Sequence, residues 1–447
     1  MIHPKIGSSG VSWSQSPAPP VRREVLWPYI LPTLGEGGLF LFLCLLFTFS
    51  PSNAQRSMSL HPDIATLRVT AGNRWTELPV TTLNGHEPIH IEFDELSHQY
   101  KRYAYKIEHC EADWTTSDEL LTSDFVEGFP DGSIIEDYTQ SINTNQPYTH
   151  YHLTIPNESC RLKMGGNYRV TIYDDNDDTE VVSACFMILD EKAALFMEGT
   201  TNTDLTVNRS HQQIAMTLNY SRLRVVNPSE QIKTVVMQNK RWDNSVSNAA
   251  PQHIMADGLQ WSHNKDLIFS AGNEYRKYEI LDLTHATLGI DRIAWDGDNY
   301  HVFPYTDEPR RNYIYDEDAD GASYIRNSDN FENDYSTDYA YVHYRLACPS
   351  PVRGEVYVSG DWTNGHSPQL YKMTYDEAEA AYFATIYQKQ GYYNYQYLLM
   401  KPDGQMVTMP GEGDFYQTEN TYDALVYYRA QGERYDNLVA HRTIKMK

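Results

Sequence analysis

Apolar and polar residues alternate with period two along most of the chain, and long 3.6-residue apolar periodicity is scarce. "HIEFDEL", "RYAYKIEHC" and "THYHLTI" put every second side chain on one face, the signature of half-buried strands. "GNYRVTIYDDNDDTEVVSACFMILD" predicts two strands joined by an acidic turn. Together these predict a β-sandwich over residues 60–190. Between them lies "EADWTTSDELLTSDFVEGFPDGSIIEDYTQSINTNQPY", a long insertion with little alternation, and loops of that length in a compact domain are functional or disordered. Its aromatic residues Trp114, Phe125, Phe129 and Tyr138 argue for order.

A second sandwich is expected over 195–312, from "QQIAMTLNY", "IKTVVMQNKRW" and "YRKYEILDL", with "PSEQ" and "SAGN" as turns. Residues 313–337 are acidic and read as a linker or extended hairpin. A third sandwich with a tail is expected over 338–447, where "YVHYRLAC", "GEVYVSGDW", "AAYFATIYQ" and "GYYNYQYLLM" recur at sandwich spacing. The closing "AQGERYDNLVAHRTIKMK" is expected to be mobile or docked to a neighbouring domain. The predicted fold is all-β: serial immunoglobulin-like, early-set β-sandwich domains.

The N-terminus breaks the pattern. "LFLFLCLLFTF", residues 39–49, is too short to span a bilayer and suits the apolar segment of a signal peptide. Ser52 and Ala54 then place cleavage after Ala54, making residues 1–54 a signal peptide with a long upstream extension, explained by a translation start assigned too far upstream. Cys44 lacks the small residues of a lipoprotein site before it, so the mature chain is expected to be soluble. The leader carries a net +1, so its loss makes the mature chain more acidic than the −24 of the whole. Such a charge repels nucleic acid and anionic lipid. Cys110, Cys160, Cys185 and Cys348 remain, an even number in an oxidising compartment, and a disulfide is expected among the first three.

Chemistry-bearing motifs are few. "DEDADG" sets Asp316, Asp318 and Asp320 before Gly321, the first half of a calcium loop, but the twelfth position is Asn327 rather than a bidentate glutamate, so an acidic turn is the preferred reading. His150 and His152 share a strand face without a third ligand at a defensible spacing. His109 and Cys110 point to opposite faces of their strand and form no nucleophile pair. There is no G-x-S-x-G, no H-E-x-x-H, no P-loop and no dinucleotide glycine run after a strand. Neither an enzyme nor a cofactor is expected.

"VYVSGDWTNG" and "GYYNYQYLLMKPDG" resemble glycogen-binding and early-set sandwiches, which implies an exported carbohydrate-binding protein as an alternative function. Period two, however, gives Tyr393, Tyr395, Tyr397 and Leu399 to one face, a core stripe, and leaves Tyr392, Asn394, Gln396 and Leu398 on the other.

A broader resemblance spans residues 75–440. "YAYKIEHCEADWTTSDELL", "GFPDGSIIEDYTQSINTNQPYTHYHLTIPN", "GNYRVTIYDDND", "VVMQNKRWDNS", "FSAGNEYRKYEILDL", "YVHYRL" and "QGYYNYQYL" together look like the type IX secretion system plug proteins of Bacteroidetes-type bacteria. That resemblance implies a periplasmic, non-enzymatic protein on the inner face of the outer membrane. Its implied partner is the giant outer-membrane β-barrel translocon, whose periplasmic mouth it would close, with no nucleic acid or small-molecule substrate. Aromatic residues and arginine are common interface anchors. On that basis the expected contacts are Trp114, Phe129, Asp137, Tyr138 and Tyr148 of the insertion, with Arg241 and Trp242.

Overall fold

A computed structural model describes residues 57–364 and 368–446. The expected leader and its cleavage site lie outside the described residues. The architecture is nearly all β, with antiparallel pairing dominant among the strands, which fold into three sandwiches.

In the first sandwich, one sheet carries Tyr103–Cys110, Gly166–Asp174 and Glu180–Leu189 side by side. The other carries Ile64–Ala71, Ile89–Glu95 and Thr149–Ile155. Alternate residues point inward, so Ile91, Phe93, Tyr105, Ile107, Tyr151 and Val170 form the core between the sheets. The long insertion does not hang free. Its strand Asp131–Ile134 pairs with Tyr103–Cys110, and Tyr138–Gln140 pairs with Thr149–Ile155, so it extends both sheets.

The second sandwich differs from the sequence expectation. Its sheets are Ala194–Thr200, His211–Asn219 and Gly258–Trp261 on one side, and Ile232–Gln238, Thr421–Tyr428 and Asn437–Lys445 on the other. The chain's last strands, nearly 200 residues downstream, complete this domain. The tail is therefore a structural strand. Its sheet is buried on both faces: Val236, Tyr422, Ala424 and Val426 face inward, while Val235, Met237, Leu425, Tyr427 and Leu438 face the first sandwich. There they meet Val80, Cys110, Trp114 and Met187 in a second apolar layer. Burial on both faces explains the near-continuous apolar runs "TVVM", "ALVYY" and "NLVA", in which alternation is lost.

The third sandwich begins inside the segment assigned to the second. Arg276–Ile280 pairs with Gly391–Met400, and Tyr300–Pro304 pairs with Tyr339–Ala347, so the strands between 276 and 304 belong here rather than to a second domain ending at 312. The acidic stretch 313–337 is not a solvated linker either. It contributes the strand Ser323–Ile325, paired with Gly391–Tyr393, and the helical turn Asn333–Ser336.

Leu438 tests the role of the tail, because its side chain is fully buried between two sandwiches. Leu438→Ala is expected to lower the stability of the whole chain by about 2–5 kcal/mol in urea unfolding. A change below about 0.5 kcal/mol would show that the last strand is dispensable.

Candidate functional site

The sandwiches meet around a set of charges that water cannot reach. Lys389 closes the strand Ala381–Lys389 and its side chain is only 1% exposed, as is that of Asp94 on Ile89–Glu95 of the first sandwich. Lys389 Nζ donates to Asp94 Oδ2 at 2.5 Å and to the Asp334 carbonyl at 2.6 Å, and lies 4.1 Å from the centre of the Tyr148 ring. Asp94 also accepts from the Tyr339 hydroxyl at 2.6 Å and from His150 Nδ1 at 2.7 Å. Burial alone would raise the Asp94 carboxyl, but Lys389 and His150 outweigh it and hold it at about 2. Burial pulls the Lys389 ammonium below its ordinary value, against the attraction of Asp94.

One turn of side chains away, Arg68 bridges Glu92 at 2.9 Å and Asp334 at 2.5 Å. Glu92, His150 and Asp334 could in principle gather around a metal ion. The Arg68 guanidinium already neutralises both carboxylates, and His150 is turned to Asp94, so this donor set does not suit a cation. His152 donates to Asp137 at 2.8 Å and lies 2.9 Å from His90. The two histidines of "THYHL" thus share a face but serve different partners.

Trp75, Arg68, Glu92, Trp242, Tyr324 and Trp362 line a cleft of about 770 Å³ to which all three sandwiches contribute. None of Lys389, Asp94, Arg68, Tyr339 or Asp334 was singled out by sequence. Alternation places Arg68, Asp94, Tyr339 and Lys389 on the outer faces of their strands, where polar residues are ordinary, so nothing local marks them as enclosed between sandwiches.

The expected contact residues divide by burial. Trp114 is 2% exposed and packs edge-to-face on Trp242 at 5.6 Å, inside the layer between the first two sandwiches. Tyr148 is fully buried, its hydroxyl donating to the Thr337 carbonyl at 2.7 Å. Arg241 pairs with Asp243. Trp114 and Tyr148 hold the protein's own parts together, so their expected role as outward contacts is corrected, while Arg241 and Trp242 are half-buried, with Trp242 at the edge of the cleft. Phe129 (70% exposed) and Tyr138 (42% exposed) are at the surface, with Asp137 also exposed and Tyr138 packed on Tyr100.

The calcium loop does not form. Asp316 pairs with Lys277 at 2.6 Å, while Asp318 accepts the Tyr275 and Asp320 amides and Asp320 accepts the Thr421 hydroxyl. Burial, with Asp320 adding repulsion, pushes the Asp318 carboxyl up to about 7. Among the described residues these three carboxylates do not gather around a common point.

The expected disulfide is also corrected. Cys160 lies in the inner core of the first sandwich, whereas Cys110 and Cys185 point to the outer layer. The latter two stand on strands separated by Gly166–Asp174, about 10 Å apart at sheet spacing, beyond the reach of a disulfide. Burial pushes the Cys110 thiol up to about 12 and the Cys160 thiol to about 11, away from thiolate reactivity. His109, its pKa brought down to about 4 by burial, is neutral and hydrogen-bonds Ser117 and the Gly165 carbonyl.

The tyrosine strand is buried on both faces. Tyr393, Tyr395 and Tyr397 are in the core, as expected. The opposite face is closed by Asn394, which accepts the Ala319 amide at 2.5 Å, and Gln396, which donates to the Tyr275 hydroxyl at 2.8 Å. No sugar platform is open at this strand.

Residues 64–190 match the family model described as the Type 9 secretion system plug protein 1st domain. Among solved structures, the chain is similar to a hypothetical protein from Parabacteroides merdae ATCC 43184, with 35% identity and a TM-score of 0.84 over 88% of this chain and 99% of that one. The C-terminal domain of the Streptococcus pyogenes antigen I/II-family protein AspA aligns at 6% identity over 85% of this chain and 98% of that one, with a TM-score of 0.17, and carries no argument. None of the curated proteins matches the chain.

The buried pair makes two linked expectations. Lys389→Met leaves buried Asp94 without its ammonium partner and is expected to cost about 3–5 kcal/mol, whereas Asp94→Asn combined with Lys389→Met costs less than the sum of the single changes. Because the folded Asp94 carboxyl sits at about 2 against an ordinary 3.8, the folded state takes up this proton later than the unfolded chain. Its contribution is complete well above pH 3.8 and fades as the pH falls toward 2. Urea titrations across acidic pH check both; additive single changes would remove the coupling.

Proposed function

Because the chain belongs to the type 9 secretion system plug protein family, we propose that it binds the periplasmic mouth of the outer-membrane β-barrel translocon and seals it when no cargo passes. The match of residues 64–190 to the family's first domain supports a role in type IX secretion and a place in the cell envelope. The sealing role is the finer reading. The observation that supports it is the locking of three sandwiches into one body by the apolar layer around Trp114 and the buried pair Lys389–Asp94. A wide water-filled barrel leaks unless something rigid and well hydrated fills its end. Domains swinging on linkers would leave gaps.

The surface is acidic, with a formal charge of −24 for the whole chain, which keeps a plug hydrated and off anionic lipid. Exposed aromatic side chains supply anchors. Phe129 and the Tyr138–Tyr100 pair, both in or beside the long insertion of the first sandwich, are the proposed contacts with the barrel, and Asp137 stands at their rim.

Recovery of the barrel with the tagged chain from its own membranes tests the reading. Phe129→Ala with Tyr138→Ala is expected to lower that recovery about tenfold or more with an unchanged thermal midpoint. Equal recovery removes these contacts, and absence of the barrel with the unaltered chain removes the plug itself. Deleting the gene is expected to admit a large hydrophilic antibiotic while surface cargo is still delivered. Loss of cargo delivery would instead make the protein an adaptor that secretion requires.

A further inference from the structure

The cleft of about 770 Å³ between the sandwiches has the size and the domain-junction position of small-ligand sites. Its walls are half-buried rings from all three sandwiches: Trp75, which packs on Tyr324 at 5.3 Å, together with Trp242 and Trp362. The Trp362 indole N–H donates to the Asn394 carbonyl at 2.9 Å, which anchors its ring.

Between the rings stand planar polar groups held by their neighbours. Glu92 and Asp334 are fixed by Arg68 at 2.9 Å and 2.5 Å. His90 Nδ1 and His152 Nε2 face each other across 2.9 Å; burial first, then the neighbouring imidazole, lowers the His90 pKa, and with Nδ1 committed to His152 the neutral ring keeps Nε2 as an acceptor for a ligand. Asn73 and Asn364 are exposed beside them.

We propose that this cleft binds a short neutral oligosaccharide. A pyranose ring has an apolar C–H face and an equatorial rim of hydroxyls that each donate and accept. Indole faces suit the first. Carboxylates and imidazoles held by their neighbours, with exposed side-chain amides beside the cleft, suit the second. The charges argue against an ionic ligand. Arg68 is taken by Glu92 and Asp334, Lys240 by Asp361 and Lys389 by Asp94, so among the described lining residues an anion finds no free lysine or arginine, while a cation competes with a guanidinium already in place. This reading is separate from the sealing role and from the tyrosine strand, whose rings are inside the third core.

Calorimetric titration of the whole mature chain, followed in parallel by tryptophan emission, tests it with cellotetraose, maltotetraose, mannotetraose and N-acetylated chitotetraose as probes. At least one is expected to bind with a dissociation constant below about 1 mM and to change the emission. Trp75→Ala and Asn73→Ala are each expected to weaken that binding about fivefold or more. Asn73 is exposed, so its variant remains readable even where the loss of Trp75 loosens the fold. No heat and no emission change with any probe at about 10 mM would overturn the proposal. So would binding that both variants leave unchanged, or a sialylated tetrasaccharide binding as tightly as the neutral ones. None of these outcomes depends on whether the barrel co-purifies.

Discussion

Lys389 and Asp94 come from different sandwiches and are both removed from water, and this constrains everything around them. A buried charge is tolerated only when its partners are complete, because desolvation costs several kcal/mol for each ion. Asp94 is completed by Lys389, Tyr339 and His150, and Lys389 by Asp94, the Asp334 carbonyl and the Tyr148 ring. Each of those partners is placed by a strand or turn that must arrive in register. The first and third sandwiches therefore cannot slide or part without exposing an uncompensated charge on each side. An apolar contact of the same area would hold them together but would not select one register so sharply.

The second sandwich is held by a different device, a sheet with two apolar faces. Ile232–Gln238 and the two C-terminal strands serve their own core with one face and the layer around Trp114 with the other. Tyrosine is the material that lets such packing also carry polar contacts. In the third sandwich Tyr395 and Tyr397 bury their rings while their hydroxyls donate to Asp307 at 2.9 Å and 2.6 Å. Asp307 in turn holds Arg276, which reaches Glu412 together with Arg310. The count of 35 tyrosines against 14 phenylalanines follows from a fold that buries rings next to charges.

Local pattern made the strands legible. "THYHLTI" and "GYYNYQYLLM" lie where alternation puts them, and the core stripe Tyr393, Tyr395, Tyr397 is observed. Long-range pairing was not legible. Nothing within "NLVAHRTIK" says that its strand neighbour leads back to residues 232–238, because register between distant strands is set by cores that only the folded chain assembles. Hence a domain boundary expected near 312 and a tail expected to be either mobile or docked to a neighbouring domain. The site residues suffered the same limit. Trp114 and Tyr148 look like surface anchors in a loop without alternation, yet the loop is drawn between sandwiches and its rings are enclosed. Phe129, in the same loop, is not. Sequence chemistry alone does not tell these rings apart.

The perturbed groups bear on function as well. Strong shifts in ionisation mark catalytic sites when they occur beside an accessible cavity with a reacting partner. Here Asp94 is engaged by Lys389, Glu412 by two arginines, and His109 by Ser117 and Gly165, while Asp318, raised by burial and Asp320, is held by two backbone amides. The charges of Asp94 and Glu412 are balanced where they stand, and moving a proton at either would strain an interdomain contact or a core. Such an arrangement favours one shape over a cycle of chemical states. That is the property a seal needs, since a barrier against leakage depends on keeping the same cross-section while solvent and solutes press on it. For the proposed seal the interior fixes the shape, and the exposed rings of the first-sandwich insertion are the surface offered to the barrel.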